Sequence, residues 1–245
     1  MAIVHTTNDK LMTMTDRKLL IRGRQSRTGR VVVSGAKNSA VAVLPAALLA
    51  EGTTVLQNVP DIADVAVQRE ILASLGVDVS DGDEHGEVHL AVGEVHSEVP
   101  YGLAKQLRGS SLLLGPLVAR LGEARVPLPG GCAIGSRPVD LHLKALRELG
   151  AEVDIEHGQI VARARRLIGT EVYLDFPSVG ATENLMMAAT AAKGTTVIYN
   201  AAKEPEVVDL ANFLNAMGAR VVGAGTDTIK IEGGRDLHAV TYSII

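Results

Sequence analysis

The single cysteine of this sequence, Cys132, stands in Pro129-Gly130-Gly131-Cys132-Ala133-Ile134-Gly135, and Arg137 follows five residues later. Glycines leave backbone N–H groups uncovered, and a cation near a thiol favours the thiolate. The segment therefore suits proton transfer or nucleophilic attack. The other reading is a small buried hydrophobe, the commoner state of an isolated cysteine. No His or Asp stands immediately beside it, so nothing demands a protease-like dyad.

Two more cations stand at expected helix starts. Lys37 follows Ser34-Gly35-Ala36 and precedes a long apolar run. The uncovered N–H groups of a helix start, together with an ammonium, make a local anion site for phosphate or carboxylate. Equally, Lys37 reads as a solvated lysine beside an ordinary cap, since Gly-Ala-Lys-Asn is not a Walker loop. Arg108 holds the comparable position in Arg108-Gly109-Ser110-Ser111; it reads either as a second cation aimed at the same region or as a surface arginine. The run Arg137-Pro138-Val139-Asp140-Leu141-His142 opens another helix, with Pro near the first position and Asp in the first turn. Asp140 either complements the helix dipole or, with Arg137, hydrogen-bonds a ligand bearing phosphates and an amide or base edge.

A repeated scaffold must position these residues. Three segments share one order of features: a polar cluster, an apolar helix, a Gly turn into a short strand, and a second helix ending in Leu-Gly or Met-Gly. The first runs from Ser34 through Glu51-Gly52-Thr53-Thr54 to Leu75-Gly76-Val77. The third runs from Ser178-Val179-Gly180-Ala181-Thr182 through Lys193-Gly194-Thr195-Thr196 to Met217-Gly218-Ala219. The second, more diverged, runs from Arg108 through Leu121-Gly122-Glu123 to Leu149-Gly150-Ala151. Gly52 and Gly76 lie 24 positions apart, as do Gly194 and Gly218, whereas Gly122 and Gly150 lie 28 apart. The loop 127–136 must hold the four extra residues, so Cys132 sits in an elaboration of a rigid scaffold, where function tends to reside. With strand-like tails at 87–92, 159–164 and 228–232, the reading is an α/β domain of three βαβαββ-like repeats over 37–245. A flexible extension at 1–17 and opening strands within 18–36 precede it.

Bulk properties exclude several classes. Apolar residues make up 47% of the 245, enough for a real core. The net charge of −4 offers no general attraction to nucleic acid or to an anionic membrane. The longest apolar run, 40–50, is far below a membrane span, and the first seventeen residues lack the apolar core of a secretory signal, so a cytoplasmic protein is expected. One cysteine and seven scattered histidines argue against an internal disulfide and a structural zinc site.

Ser34-Gly35-Ala36-Lys37-Asn38, Gly115-Pro116-Leu117-Val118-Ala119-Arg120, Leu128 to Gly135, Arg137 to His142 and Ser178 to Thr182 occur in the order found in one family. On these five motifs the chain closely resembles the UDP-N-acetylglucosamine 1-carboxyvinyltransferases. The resemblance implies transfer of enolpyruvyl from phosphoenolpyruvate to the 3-hydroxyl of UDP-N-acetylglucosamine, the first committed step of peptidoglycan synthesis, with no metal or cofactor. It implies an inside-out α/β barrel, the enolpyruvyl transferase fold, as one of two family domains, with 18–36 belonging in part to the other. Lys37 and Asn38 would then contact phosphoenolpyruvate, with Arg108 assisting around the same anionic groups. Arg108, Arg137, Pro138, Val139, Asp140, Leu141, Ser178 and Val179 would serve the nucleotide sugar. Cys132 would correspond to the loop cysteine that acts in proton addition at the methylene carbon and is the target of fosfomycin.

Three departures accompany the match. Gly109 stands where members commonly have Ala, and Phe176-Pro177 where some carry a lysine. The third is length: the family's catalytic aspartate and a further arginine belong to its second barrel, so the expectation is an incomplete enzyme that does not turn over alone, with a complementary second-barrel chain as a possible partner. A non-catalytic nucleotide-sugar-binding or regulatory module of the same fold is the alternative. The related shikimate-pathway transferase is disfavoured by the Pro-Gly-Gly-Cys loop and the Arg-Pro-Val-Asp-Leu run.

Overall fold

The computed structural model describes residues 28–128 and 139–245. Met1–Val33 and Ser34–Ile245 form separate compact units. In the first, residues 28–33 form no helix or strand and are exposed; residues 1–27, including most of the expected opening strands, lie outside the described residues.

The second unit carries the three repeats. Repeat one comprises α1 (Lys37–Ala46), a 3-10 turn at Ala47–Leu49, β1 (Gly52–Gln57), α2 (Ala63–Ser74), β2 (Asp78–Asp81) and β3 (Val88–Val92). Repeat two opens with α3 (Tyr101–Ala104) and a 3-10 segment at Arg108–Leu113. It continues with α4 (Leu114–Leu121), β4 (Glu123–Pro127), α5 (Asp140–Glu148), β5 (Glu152–Glu156) and β6 (Gln159–Arg163). After β7 (Glu171–Tyr173), repeat three comprises α6 (Val179–Ala191), β8 (Thr195–Tyr199), α7 (Pro205–Ala216), β9 (Arg220–Val222) and β10 (Thr228–Glu232). The last strand is β11 (Thr241–Ser243). The start at Arg108 is 3-10 rather than α, in keeping with the low helix propensity of Gly109.

The second helix of every repeat ends in one motif. After α2, the Gly76 N–H donates to Ala73 O (3.1 Å) and the Val77 N–H to Leu72 O (3.1 Å). After α5, Gly150 bonds Arg147 (2.8 Å) and Ala151 bonds Leu146 (3.1 Å); after α7, Gly218 bonds Asn215 (3.1 Å) and Ala219 bonds Leu214 (3.0 Å). These are Schellman caps, and Gly76, Gly150 and Gly218 all have φ between 90° and 106°, which side-chain-bearing residues rarely adopt. The Leu-Gly and Met-Gly pairs of the sequence mark these caps.

The three sheets share strands between repeats. β11-β1-β3-β2 and β7-β8-β10-β9 each have four strands, and in both the first-named strand is parallel to its neighbour while the other pairings are antiparallel. The order β4-β6-β5 forms the third sheet, with an isolated parallel bridge from Glu98 to Arg125 at the corresponding edge. Each repeat thus hands its tail to the next sheet, and β11 closes the ring by returning to β1. In repeat two the Arg125 N–H donates to Ser97 O (2.8 Å) and the Val99 N–H to Arg125 O (2.9 Å). The next rung would need an N–H from Pro127, which has none, so the ladder stops.

α1 and α6 are buried on every side, as helices without a polar face must be. Between β1 and α2, and between β8 and α7, five residues connect strand to helix (58–62 and 200–204). Between β4 and α5 there are twelve (128–139). Since α5 has 9 residues against 12 in α2 and α7, the net four extra positions are seven added to the loop and three removed from the helix.

Ring closure is clasped by Asp209 of α7, which is 1% exposed. The Tyr242 hydroxyl donates to its Oδ1 at 2.6 Å, and the Tyr242 ring meets Phe213 edge-on at 5.3 Å. Burial, then the Asp209 hydrogen bond and charge, hold the phenol well above its ordinary pKa, so it remains a donor. Tyr242→Phe leaves a buried carboxyl oxygen short of a donor and should cost about 1–2 kcal/mol in urea unfolding. An unchanged midpoint and slope would show that the clasp contributes nothing.

Candidate functional site

Contacts among their starts show that α1, α2, α5, α6 and α7 begin at one end of this unit. The Lys37 Nζ lies 2.7 Å from Asp64 Oδ2, joining the starts of α1 and α2. The Asn38 Nδ2 donates to Glu206 Oε1 at 2.8 Å, joining α1 to α7. The Ala202 N–H, just before α7, donates to Thr182 Oγ1 in α6 (3.1 Å). His142 in the first turn of α5 lies against Gly180 in the first turn of α6. Each helix start carries about half a positive elementary charge, and together they favour an anion.

Lys37 and Arg108 are exposed at this end, where a ligand could reach them. The Lys37–Asp64 pair is 55% and 39% exposed at its two side chains. A pair of that kind is worth at most about 1 kcal/mol, so exchanging Asp64 for a ligand anion costs little. Asn38 is oriented through its amide nitrogen by Glu206. Arg108 is carried by the 3-10 segment, whose next residue, Gly109, packs closely on α1: a Cβ there would stand 2.3 Å from Val41 Cγ1, so alanine at 109 would require the Val41 side chain to shift.

Val139 precedes α5 as its N-cap residue, Asp140 is its exposed first residue, and Leu141 is buried beneath. Ser178 caps α6, its Oγ accepting the Ala181 N–H at 3.4 Å, and Val179 follows. The Lys144 ammonium meets both carboxylate oxygens of Asp175 at 2.8 and 2.9 Å, tying α5 to the segment before Ser178. Contacts thus join the start of α5, with Val139 to Leu141, to that of α6, with Ser178 and Val179, and separately join the 3-10 segment of Arg108 to α1, which carries Lys37 and Asn38. Cys132, Arg137 and Pro138 lie outside the described residues. A cleft of about 440 Å³ lies at the opposite end, where α1, α4 and α6 finish, lined by Leu49, Arg120, Thr190 and Arg235 among others.

Two buried groups escaped the sequence reading. Glu183 is 3% exposed, and its Oε1 has no hydrogen-bond partner among the described residues. Burial, reinforced by the charges of Glu206 and Glu204, pushes its carboxyl up to about 8. His142 is buried against Asn184, and burial pulls its pKa down to about 4. The available signal was the polar triplet Thr182-Glu183-Asn184 inside an otherwise apolar helix.

This architecture of α/β repeats, with helix starts gathered at one end, is that of the enolpyruvyl transferases. A solved structure of the enolpyruvyl transferase NikO from Streptomyces tendae superposes with a TM-score of 0.77 at 26% identity, over 89% of this chain and 52% of that one. The EPSP synthase of Acinetobacter baumannii shares the fold, with a TM-score of 0.71 at 22% identity over 88% of this chain and 49% of that one. Residues 21–245 match the EPSP synthase (3-phosphoshikimate 1-carboxyvinyltransferase) family, and the chain belongs to it. Within that family it is 55% identical over 229 residues to UDP-N-acetylglucosamine 1-carboxyvinyltransferase 2 of Carboxydothermus hydrogenoformans, covering 93% of this chain and 54% of the relative. To the enzyme of that name from Gloeobacter violaceus it is 53% identical over 233 residues, covering 95% and 50%. The chain spans about half the length of the curated relatives it matches.

The two buried groups give opposite pH dependences. Glu183 binds its proton more tightly folded than unfolded, so its contribution is full below its ordinary pKa of 4.5 and is lost as pH rises to about 8. His142 binds its proton less tightly folded, so its contribution is full above 6.5 and is lost as pH falls to about 4. Glu183→Gln should remove a loss of a few kcal/mol between pH 4.5 and 8, and His142→Asn should flatten the acid side. Chemical denaturation across pH checks both; parallel profiles for either variant and the wild type would refute that assignment.

Proposed function

We propose that this chain is the substrate-binding half of an enzyme that transfers enolpyruvyl from phosphoenolpyruvate to the 3-hydroxyl of UDP-N-acetylglucosamine, releasing phosphate, in cytoplasmic peptidoglycan synthesis. The observation that carries the reading is the convergence of positive helix starts, with Lys37 and Arg108 exposed among them, since both substrates are anions bearing phosphate. The names of the 49–55% identical relatives support the choice of acceptor. Lys37 and Asn38 take phosphoenolpyruvate. Arg108, Arg137, Pro138, Val139, Asp140, Leu141, Ser178 and Val179 take the nucleotide sugar, with the α6 start facing its diphosphate. Cys132 delivers the proton to the methylene carbon, a step that requires a closed, water-poor pocket. The barrel spans 37–245, and 18–36 belong in part to a second domain that supplies the remaining catalytic groups.

Isothermal titration of the 245-residue chain with UDP-N-acetylglucosamine should show binding, weakened about ten-fold or more in Arg108→Ala. Phosphate release from the two substrates together should be undetectable. Measurable turnover would overturn the expectation that a second domain completes the site, and absence of binding would overturn the reading itself. Mass spectrometry after fosfomycin treatment separates a catalytic Cys132 from a binding module: in a catalytic assembly the adduct falls on Cys132 and forms faster when the nucleotide sugar is present.

A further inference from the structure

Asn184 lies wholly buried in α6 with its side-chain hydrogen-bonding capacity turned on three other segments. Its Oδ1 accepts the Gly115 N–H of α4 at 2.7 Å. One amide hydrogen goes to Ser111 O of the 3-10 segment (2.8 Å), the other to His142 Nδ1 of α5 (2.7 Å). An amide nitrogen can only donate, so Nδ1 is the acceptor and the neutral ring carries its proton on Nε2. The far edge of the ring lies on the start of α6, where a Cβ at Gly180 would stand 2.9 Å from Cε1 and 3.2 Å from Nε2. A Cβ at Gly115 would stand 2.5 Å from Asn184 O, so the two inner helices meet here without an intervening side chain.

Three of the segments tied by this network, the 3-10 segment, α5 and α6, begin with residues assigned above to the nucleotide sugar. Arg108 lies three positions before Ser111, Asp140 two before His142, and Ser178 two before Gly180. Apolar contact is non-directional and tolerates small slips between helices, whereas hydrogen bonds from one amide to three backbones or rings set their relative position. A ligand gripped by groups from three separate elements needs that position held to a fraction of an ångström.

We propose that His142 and Asn184 are positioning residues for the nucleotide sugar, joining the three element starts that grip it without touching it themselves. The inference rests on the function proposed above and deepens it. Asparagine at 142 places a carbonyl acceptor near the position of Nδ1, glutamine is of similar size but displaces its acceptor from that position, and leucine has none.

The test measures UDP-N-acetylglucosamine affinity and urea stability of the 245-residue chain as wild type, His142→Leu, His142→Gln, His142→Asn and Phe213→Leu. His142→Leu, while folded, should lose about ten-fold or more in affinity, and His142→Asn should recover most of it. Phe213→Leu, a core change in α7 away from these starts, should lower stability and leave affinity unchanged. If the leucine variant does not fold, the glutamine and asparagine variants decide the same point, with glutamine the weaker binder. The inference is overturned if affinity follows only the folded fraction, or if all the position-142 variants bind like the wild type. Wild-type protein that binds no nucleotide sugar overturns the proposed function, and this inference with it.

Discussion

The parallel pairing of Thr241–Ser243 with β1 makes a circle of what would otherwise be a row of three repeats. Each sheet has one edge that its own repeat cannot cover, and an uncovered edge offers unpaired N–H and C=O groups to any passing strand. The tail of the preceding repeat covers it, and for repeat one that tail is almost two hundred residues away in sequence. The Val55 N–H donates to Val240 O at 2.9 Å and the Ile244 N–H to Gln57 O at 3.0 Å, while Ile244 is buried beneath. The Ala36 N–H donates to Ile245 O, so the residue immediately before Lys37 is held by the strand that closes the ring. Such a non-local contact carries an entropic cost of closure, and it ties the residue before α1 to the last strand of the unit.

Closure also sets the electrostatics. Because the starts of α1, α2, α5, α6 and α7 lie against one another, their positive ends accumulate at one end rather than cancelling. Carboxyl groups stand at that end as well, among them Asp64, Asp140, Glu183, Glu204 and Glu206. Glu206 and Asp64 occupy Asn38 and Lys37 through contacts exposed enough to be surrendered. Glu183 differs in kind: it is buried with an unpartnered oxygen and, at neutral pH, is mostly protonated, so it takes up volume in the core of the site without adding a full negative charge.

The repeats, their caps and the strands after them were legible because each depends on local chemistry. A glycine after Leu or Met ends a helix for reasons contained in a few residues, and the three Schellman caps fall where those pairs stand. The helix starts carrying Lys37, Asp140 and Ser178 were legible on the same ground. Strand exchange between repeats was not, since Thr241–Ser243 and Glu171–Tyr173 are short and look alike whichever sheet receives them. Nor was the role of Asn184: a polar residue in an apolar helix announces a buried partner, but the partners Gly115, Ser111 and His142 become neighbours only through packing. The elaborated loop was visible as four surplus residues, though not as seven added and three removed.

The position of that loop follows from two lost hydrogen-bonding groups. After β1 and β8 the chain turns at Asn58 and Asn200, both in the left-handed region at φ 58° and 57°. Each side-chain amide grips the incoming strand, Asn58 at Ile244 O and Asn200 at Leu174 O, both at 2.8 Å. At the same place in repeat two stand Pro127 and Leu128, without the N–H that would extend the ladder and without the amide that would clamp the turn. The clamp that makes the other two connections five residues long is therefore missing where the chain leaves β4, and twelve residues run on to α5 instead. A repeated scaffold thus carries one unequal connection where a clamp is missing, and in the sequence Cys132 falls within that connection.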